Sequence, residues 1–122
     1  MLRIGHSPGK GRGVFATQNF KKGEIIEYAP LIVIPPEQGR ILKHTILSRY
    51  IFALGGRKHA IVLGYGSLYN HSYHPNAVYS YLVEERCFKF EALKNINAGQ
   101  EITVNYNGDP NGKNPVWFDV ID

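Results

Sequence analysis

A polar stretch near the middle of the chain reads Asn70-His71-Ser72-Tyr73-His74-Pro75-Asn76. Its proline is typical of a loop, and the residues directly after it, 77–83, alternate between two faces. Because successive side chains of a strand point to opposite faces, this alternation predicts a strand. Residues 87–93 are a natural antiparallel partner across the turn at 84–86. The polar stretch is therefore expected to lead into a β-hairpin.

A second informative stretch lies near the C-terminus and reads Glu101-Ile102-Thr103-Val104-Asn105-Tyr106. It follows a turn at 95–99 that contains glycine and asparagine. Its apolar and β-branched residues predict the last strand of the domain. Residues 109–115 are rich in glycine, proline and asparagine, which predicts a loop before the aromatic pair Trp117-Phe118.

The N-terminal half also has short apolar segments separated by turns. Residues 25–34 are β-branched and mostly apolar, which predicts one or two buried strands, and shorter runs occur at 14–16, 50–54 and 60–63. An imperfect helical spacing predicts one short helix near 37–47. Thirteen glycines and seven prolines favour many short strands over a helical bundle. The fold class is therefore expected to be mainly β with one short helix.

Length and composition limit the function classes. The 122 residues suffice for one core, and 43% hydrophobic with 20% charged residues is typical of a globular protein. No apolar run approaches the ~18 residues of a membrane-spanning helix, and the N-terminus lacks the apolar segment of a signal peptide. The single cysteine, Cys87, excludes an internal disulfide and a cysteine-built zinc cluster. We expect one domain over residues 1–122 and an intracellular location, which is cytoplasmic or, in a eukaryote or if the protein acts on host chromatin, nuclear.

Charge is distributed unevenly along the chain. The net charge is +4, but residues 1–61 carry 10 Lys or Arg against 3 Asp or Glu, whereas residues 62–122 carry 4 against 7. The two halves could therefore present faces of opposite sign. No run of adjacent basic residues exceeds two, so direct nucleic-acid binding is not expected. So small a core makes a homodimer through an exposed apolar face plausible.

Several common chemistries find weak support. The loop Gly9-Lys10-Gly11-Arg12-Gly13 is neither a Walker loop nor a dinucleotide fingerprint, although it would let backbone approach a small ligand closely. His71 and His74 supply two ligands where zinc needs three or four, so no metal site is expected. A hydrolase would need a nucleophile elbow, or a base beside Cys87, and the sequence offers neither.

Taken together, the motifs resemble one family, the SET-domain protein lysine methyltransferases. Its opening glycine motif and strand are matched at 11–16, its central signature at 70–76 and its closing acid-to-tyrosine signature at 101–106. The resemblance covers about residues 3–118 and implies a fold of several small curled sheets with a threaded, knot-like C-terminal segment. It also implies methyl transfer from S-adenosylmethionine to a lysine amine of a protein, histone-like or otherwise basic.

The resemblance assigns roles residue by residue. Tyr106 would be the catalytic tyrosine, aided by Tyr79. The lysine channel would be lined by these two tyrosines. The C-terminal segment 109–122 would fold over the channel, with Trp117 or Phe118 as its wall. The cofactor-binding residues would be Gly11, Arg12, Gly13, Asn70, His71 and Tyr106.

Three departures from the family pattern qualify this hypothesis. Tyr73 stands where members with a zinc-bound extension have cysteine, so a zinc-free form is expected. Asn105 replaces a frequent aspartate and Val104 a frequent aromatic, which leaves Tyr79 as the residue that controls how many methyl groups are added. The alternative function is a non-catalytic peptide-binding module on the same fold. For the enzyme, Glu84 and Glu85 could attract a basic substrate, or could simply keep a hairpin tip soluble.

Overall fold

The computed structural model describes residues 1–116 and 120. Within them the chain forms nine strands, one α-helix and two short 3-10 helices. The strands are β1 (Leu2–Ser7), β2 (Gly11–Ala16), β3 (Ile25–Ile34), β4 (Ile51–Gly55), β5 (Lys58–Val62), β6 (Asn70–His71), β7 (Ala77–Leu82), β8 (Cys87–Ala92) and β9 (Glu101–Val104). Helix α1 is Pro36–Leu42, and the 3-10 helices are Ile46–Arg49 and Gly66–Leu68.

The strands form two small sheets. One has the order β4-β5-β3-β8-β7 with antiparallel neighbours throughout. The other has the order β1-β2-β9-β6, in which only β6 and β9 are parallel. The expected mainly β fold of small curled sheets with a single short helix is confirmed.

The apolar segment 25–34 is one continuous strand rather than two. Its first part pairs with β8 and its second part, from Leu31 onward, pairs with β5. A register shift between Ile25 and Glu27 bends the strand near its start. The predicted β7–β8 hairpin is confirmed. Strand β3 joins it to the β4–β5 hairpin.

The core lies between the two sheets. Val14 and Ile102 from the first sheet and Phe90 and Ala29 from the second are completely buried. Burying one large apolar side chain stabilises the fold by about 1.5–3 kcal/mol. The core therefore fixes β9 beside β2 and, through them, the position of the residues that follow β9.

The predicted helix near 37–47 is shorter than expected. Thr45 separates α1 from the next 3-10 helix because its hydroxyl donates to the carbonyl of Leu42 at 2.8 Å and accepts from the amide of Leu47 at 3.2 Å. Strand β1 was not predicted, since its exposed polar residues hide any alternation. None of the described helices is long and apolar enough to cross a membrane.

Candidate active site

The two motifs quoted above pack directly against each other. Strand β6 runs parallel to β9, with Asn70 opposite Thr103 and His71 opposite Val104. Two residues beyond Val104, the amide of Tyr106 donates to Nδ1 of His71 at 2.9 Å. His71 is only 1% exposed, so its imidazole acts as an internal support for the backbone of Tyr106.

Asn76 holds the same strand from the other end of the polar stretch. Its Nδ2 donates to the carbonyl of Glu101 at 2.8 Å, and its Oδ1 accepts from the amide of Thr103 at 2.9 Å. The side chain thereby satisfies two backbone groups of β9 that would otherwise lack a partner. No role was predicted for Asn76 itself, although an amide is one of the few side chains that can donate and accept at once.

The carboxylate of Glu101 organises the opposite side of β9. Its Oε1 accepts from Ser7 and its Oε2 from Nδ2 of Asn70, both at 2.7 Å. The Asn70 amide also donates to the carbonyl of Arg12 at 2.9 Å. A Cβ atom at Gly13 would collide with the Glu101 carboxylate and the Asn70 amide. Glycine is therefore required there for steric reasons.

The hydroxyl of Tyr106 has a fixed partner. It donates to the carbonyl of Tyr69 at 2.7 Å. Burial, reinforced by the neighbouring Tyr79 and Glu101, raises the pKa of Tyr106 above its usual value of 10. Tyr106 is therefore a neutral phenol at physiological pH.

Tyr69, which supplies that carbonyl, is anchored in turn. It is 1% exposed, and its hydroxyl donates to Oε1 of Glu27 at 2.8 Å. Oε2 of Glu27 accepts from the amide of Tyr65 at 3.4 Å. Burial raises the pKa of Glu27 above 4.5, although both hydrogen bonds act in the opposite direction. Tyr106 thus rests on a buried tyrosine–carboxyl pair.

Two clefts adjoin at Tyr106. The smaller, about 100 Å³, is lined by Lys10, Arg12 and Asn70 among others. The larger, about 550 Å³, is lined by a set of aromatic side chains: Tyr50, Phe52, Tyr79, Tyr81, Phe88 and Tyr106. Four residues line both clefts, namely Arg49, Tyr50, Ser67 and Tyr106. A polar and an aromatic cleft therefore lie on either side of the same group of residues.

The aromatic cleft has a rigid wall. The ring of Tyr79 is stacked on Phe88, with centroids 4.9 Å apart and planes at 14°, and meets Phe52 edge to face at 5.3 Å. Such contacts stabilise a pair by about 0.5–1.5 kcal/mol beyond their buried area. Burial raises the pKa of Tyr79 to about 12. Tyr79 consequently also presents a neutral hydroxyl.

Hydrogen bonds hold the segment after Tyr106 beside the site. The buried amide of Asn105 donates to the carbonyl of Gly112 at 2.8 Å, and the Tyr73 hydroxyl donates to the carbonyl of Asn114 at 3.0 Å. The departures noted at positions 73 and 105 thus both contact this segment. The predicted wall residues Trp117 and Phe118 lie outside the described residues.

The structure brings most of the other predicted site residues together. Arg12, Asn70 and Tyr106 line the small cleft, while Gly13 and His71 lie behind it and support it. Gly11 is placed differently, exposed at the start of β2 opposite Ser7 and outside the cleft lining.

Two further residues, Lys10 and Glu101, were missed as candidates. Lys10 follows Gly9 in the glycine-rich loop and lines the small cleft. Glu101 opened the closing signature but received no role. Lys10 could have been proposed from the sequence because it lies between two glycines, whereas the contacts of Glu101 depend on strand pairing.

Two other sequence predictions concern acidic substrate contacts and metal binding. Glu84 and Glu85 are exposed beyond β7 and line neither cleft, so their part in substrate attraction stays a prediction. Within residues 1–116 and 120, no three His, Cys, Asp or Glu side chains converge as metal ligands do.

Comparison with known proteins agrees with this geometry. The SET-domain profile matches residues 11–107. A Schizosaccharomyces pombe protein named "Histone-lysine N-methyltransferase, H3 lysine-37 specific" is 29% identical over 119 residues, covering 97% of this chain and 77% of that protein. A crystal structure of a candidate histone methyltransferase of Plasmodium falciparum is 33% identical with a TM-score of 0.68, over 86% of this chain and 91% of that one.

A larger assembly contains the same fold. Chaetomium thermophilum PRC2, in an autoinhibited conformation bound to S-adenosylmethionine, is similar with a TM-score of 0.74 at 24% identity, over 86% of this chain and 15% of that one. The chain belongs to the SET-domain family. The resemblance inferred from the motifs is thereby confirmed, and the relatives at 29% and 33% identity both carry the name of a histone methyltransferase.

Proposed function

We propose that this protein is a lysine N-methyltransferase that transfers a methyl group from S-adenosylmethionine to a lysine side chain of a protein. The observation that carries the proposal is the position of Tyr106, which lines both the polar and the aromatic cleft. Methyl transfer to an amine requires donor and acceptor to be held in line, and such alignment can supply up to ~7–11 kcal/mol of barrier reduction. Two clefts adjoining at one buried hydroxyl suit that requirement.

The polar cleft has donors that fit the cofactor. Lys10 and Arg12 would complement its carboxylate through charge-assisted hydrogen bonds, and Asn70 would hold it on the other side of the cleft. Gly13 supports this arrangement because it has no side chain, which leaves the space that Glu101 and Asn70 occupy. When bound, the cofactor supplies an electrophilic methyl group on a sulfonium.

The aromatic cleft suits a lysine side chain. Aromatic faces cover an aliphatic stem and tolerate the charged head while it enters. A free lysine amine has a pKa near 10.4, and both burial and nearby cations lower it. Among the described lining residues no carboxylate is present, whereas Lys43 and Arg49 are. The cleft therefore favours the neutral, nucleophilic amine.

Tyr106 and Tyr79 would position the amine rather than deprotonate it. Both phenols are neutral because burial raises their pKa values. The Tyr106 proton is engaged by the carbonyl of Tyr69, so its oxygen can still accept a hydrogen bond from the amine. Water then takes the proton that the amine releases.

Mass spectrometry of candidate proteins incubated with isotope-labelled S-adenosylmethionine tests the proposal. Histones are the first substrates to include, because both relatives are named for them. We expect labelled methyl groups on lysine. Calorimetry with S-adenosylmethionine distinguishes the alternative, since a peptide-binding module would retain peptides but show no cofactor binding.

A further inference from the structure

The far end of the aromatic cleft is basic. Between Glu37 and Glu84 the sequence contains no Asp or Glu, yet it contains five Lys or Arg residues. Lys43 lines the cleft at this end, and Arg49 lines it at the junction with the polar cleft. This stretch includes the end of α1 and both strands of the β4–β5 hairpin, and it holds five of the ten Lys and Arg residues of the N-terminal half.

A side pocket of about 220 Å³ continues from the cleft at this end. It is lined by Arg40, Lys43, Arg57 and His59, together with Pro36 and Gly39. Lys43 and His59 line the cleft as well, so the pocket and the cleft are immediate neighbours. Arg40 comes from the last turn of α1, and Arg57 from the β4–β5 turn, where its φ of +63° points to a tight and specific backbone geometry.

The cations of this pocket have no anionic partner in the part of the chain that the structure describes. Arg40, Lys43 and Arg57 are exposed, and none of them makes an ion pair or a side-chain hydrogen bond there. Three like charges around one concavity repel one another, and an anion placed among them would relieve that repulsion. The pocket is thus complementary to a negative group supplied from outside.

We propose that this pocket binds an anionic side chain of the substrate, an aspartate, a glutamate or a phosphorylated residue, that lies a few residues from the target lysine. The inference rests on the proposed methyltransferase function, since it places a peptide in the aromatic cleft. An extended peptide advances about 3.3 Å per residue, and the pocket shares Lys43 and His59 with the cleft, so we expect a short segment to connect the lysine and the anion.

The pocket favours a peptide side chain over a nucleic acid. Its volume accommodates one side chain, and it lies beside the cleft, with which it shares Lys43 and His59. Nucleic-acid surfaces instead present an extended stripe of cations, and here no run of adjacent basic residues exceeds two. An anion in this pocket would also offset the cations that disfavour lysine entry.

The test uses lysine peptides in which one glutamate is moved through four positions on either side of the lysine, with glutamine and lysine at the same positions for comparison. We expect kcat/KM to rise about tenfold for glutamate at one position, as a charge-assisted contact predicts. A phosphoserine series at the same positions decides which anion is preferred. Arg57→Gln and Arg40→Gln should remove the preference while the glutamine peptide reacts as before.

Arg86→Gln is the matched control, because Arg86 is also exposed, also has a positive φ, and lines a different groove. It should keep the preference. Equal rates for all peptides, or a preference for flanking lysine, would overturn the inference while leaving methyl transfer intact. Competition by a DNA duplex that Arg57→Gln abolishes would also overturn it, by assigning the pocket to nucleic acid. Absence of transfer to every peptide would count against the proposed function itself.

Discussion

The backbone amide of Tyr106 donates a hydrogen bond of 2.9 Å to Nδ1 of His71, a residue 35 positions earlier in the chain. Because Nδ1 accepts this bond, a neutral His71 carries its proton on Nε2. The central and closing motifs are thus joined by a hydrogen bond between the His71 side chain and the Tyr106 backbone, in which the Tyr106 hydroxyl takes no part. Disturbing His71 and disturbing that hydroxyl should therefore have different consequences.

Replacing His71 with alanine should lower the free energy of unfolding by about 2–4 kcal/mol, since a buried N–H loses its acceptor and a cavity forms. Urea denaturation measures the change. His44→Ala, at an exposed histidine, is the control and should stay within ~0.5 kcal/mol of the parent. Equal stabilities for both variants would mean that the bond contributes little.

Replacing Tyr106 with phenylalanine should leave the fold intact and lower kcat for methyl transfer by about 10- to 100-fold, the effect of one buried hydrogen-bonding group. Tyr65→Phe is a matched control, because its hydroxyl also donates to a backbone carbonyl, that of Leu2 at 3.2 Å, but lines neither cleft. A parallel loss of rate in both variants would trace the effect to stability rather than to the site.

Introducing alanine at Gly13 should weaken cofactor affinity and destabilise the protein by about 1–3 kcal/mol, because the new methyl displaces the Glu101 carboxylate and the Asn70 amide. Thermal unfolding and calorimetry report the two effects. Gly11→Asn, where nothing lies within 4 Å and φ is +79°, should keep its stability, since asparagine tolerates that conformation. An unchanged melting temperature in the Gly13 variant would contradict the steric argument.

The sequence was informative about local structure and about the family, and less so about the supports of the site. Alternation in 77–83 and the natural pairing of 87–93 predicted the hairpin, and Tyr106 was proposed through the resemblance of 101–106 to the closing signature of the family. The roles of Asn76 and Glu101 were missed, since both depend on which backbone groups β9 leaves open after pairing. That information exists only once the strands are placed.

The charge distribution along the sequence does not show which charged residues face the cleft. It drew attention to Glu84 and Glu85 as substrate contacts, yet the residues that line the cleft are Lys43 and Arg49. A sequence orders charges along the chain, whereas the fold decides which of them face a cavity. The expected homodimer stays a prediction.

Replacing Tyr79 with phenylalanine should shift the products toward higher methylation states. Its hydroxyl lies close to Gly108, 3.5 Å from where a Cβ on that glycine would stand. Removing it leaves room for a bulkier amine in the cleft. Mass spectra of one peptide after exhaustive reaction give the distribution, and Tyr81→Phe, in the same cleft, should leave it unchanged. Identical distributions in all three proteins would assign the control of methyl number elsewhere.

Glu27 should make the stability depend on pH in an unusual direction for a carboxylate. Its pKa in the folded protein is raised by burial, so the folded state holds the proton more tightly than the unfolded chain does. The stabilisation is therefore complete below about pH 4.5, the usual value, and is lost as pH rises through the raised folded-state value.

Glu27→Gln cannot titrate, so the unfolding free energy of the parent minus that of the variant should fall as the pH rises above about 4.5. Urea titrations across this range measure it, with Glu84→Gln at the exposed hairpin tip correcting for surface carboxylates. A difference that instead grows with pH would mean that the hydrogen bonds from Tyr69 and Tyr65 outweigh burial at Glu27. In that case Glu27, which anchors Tyr69 beneath Tyr106, would be an ionised carboxylate.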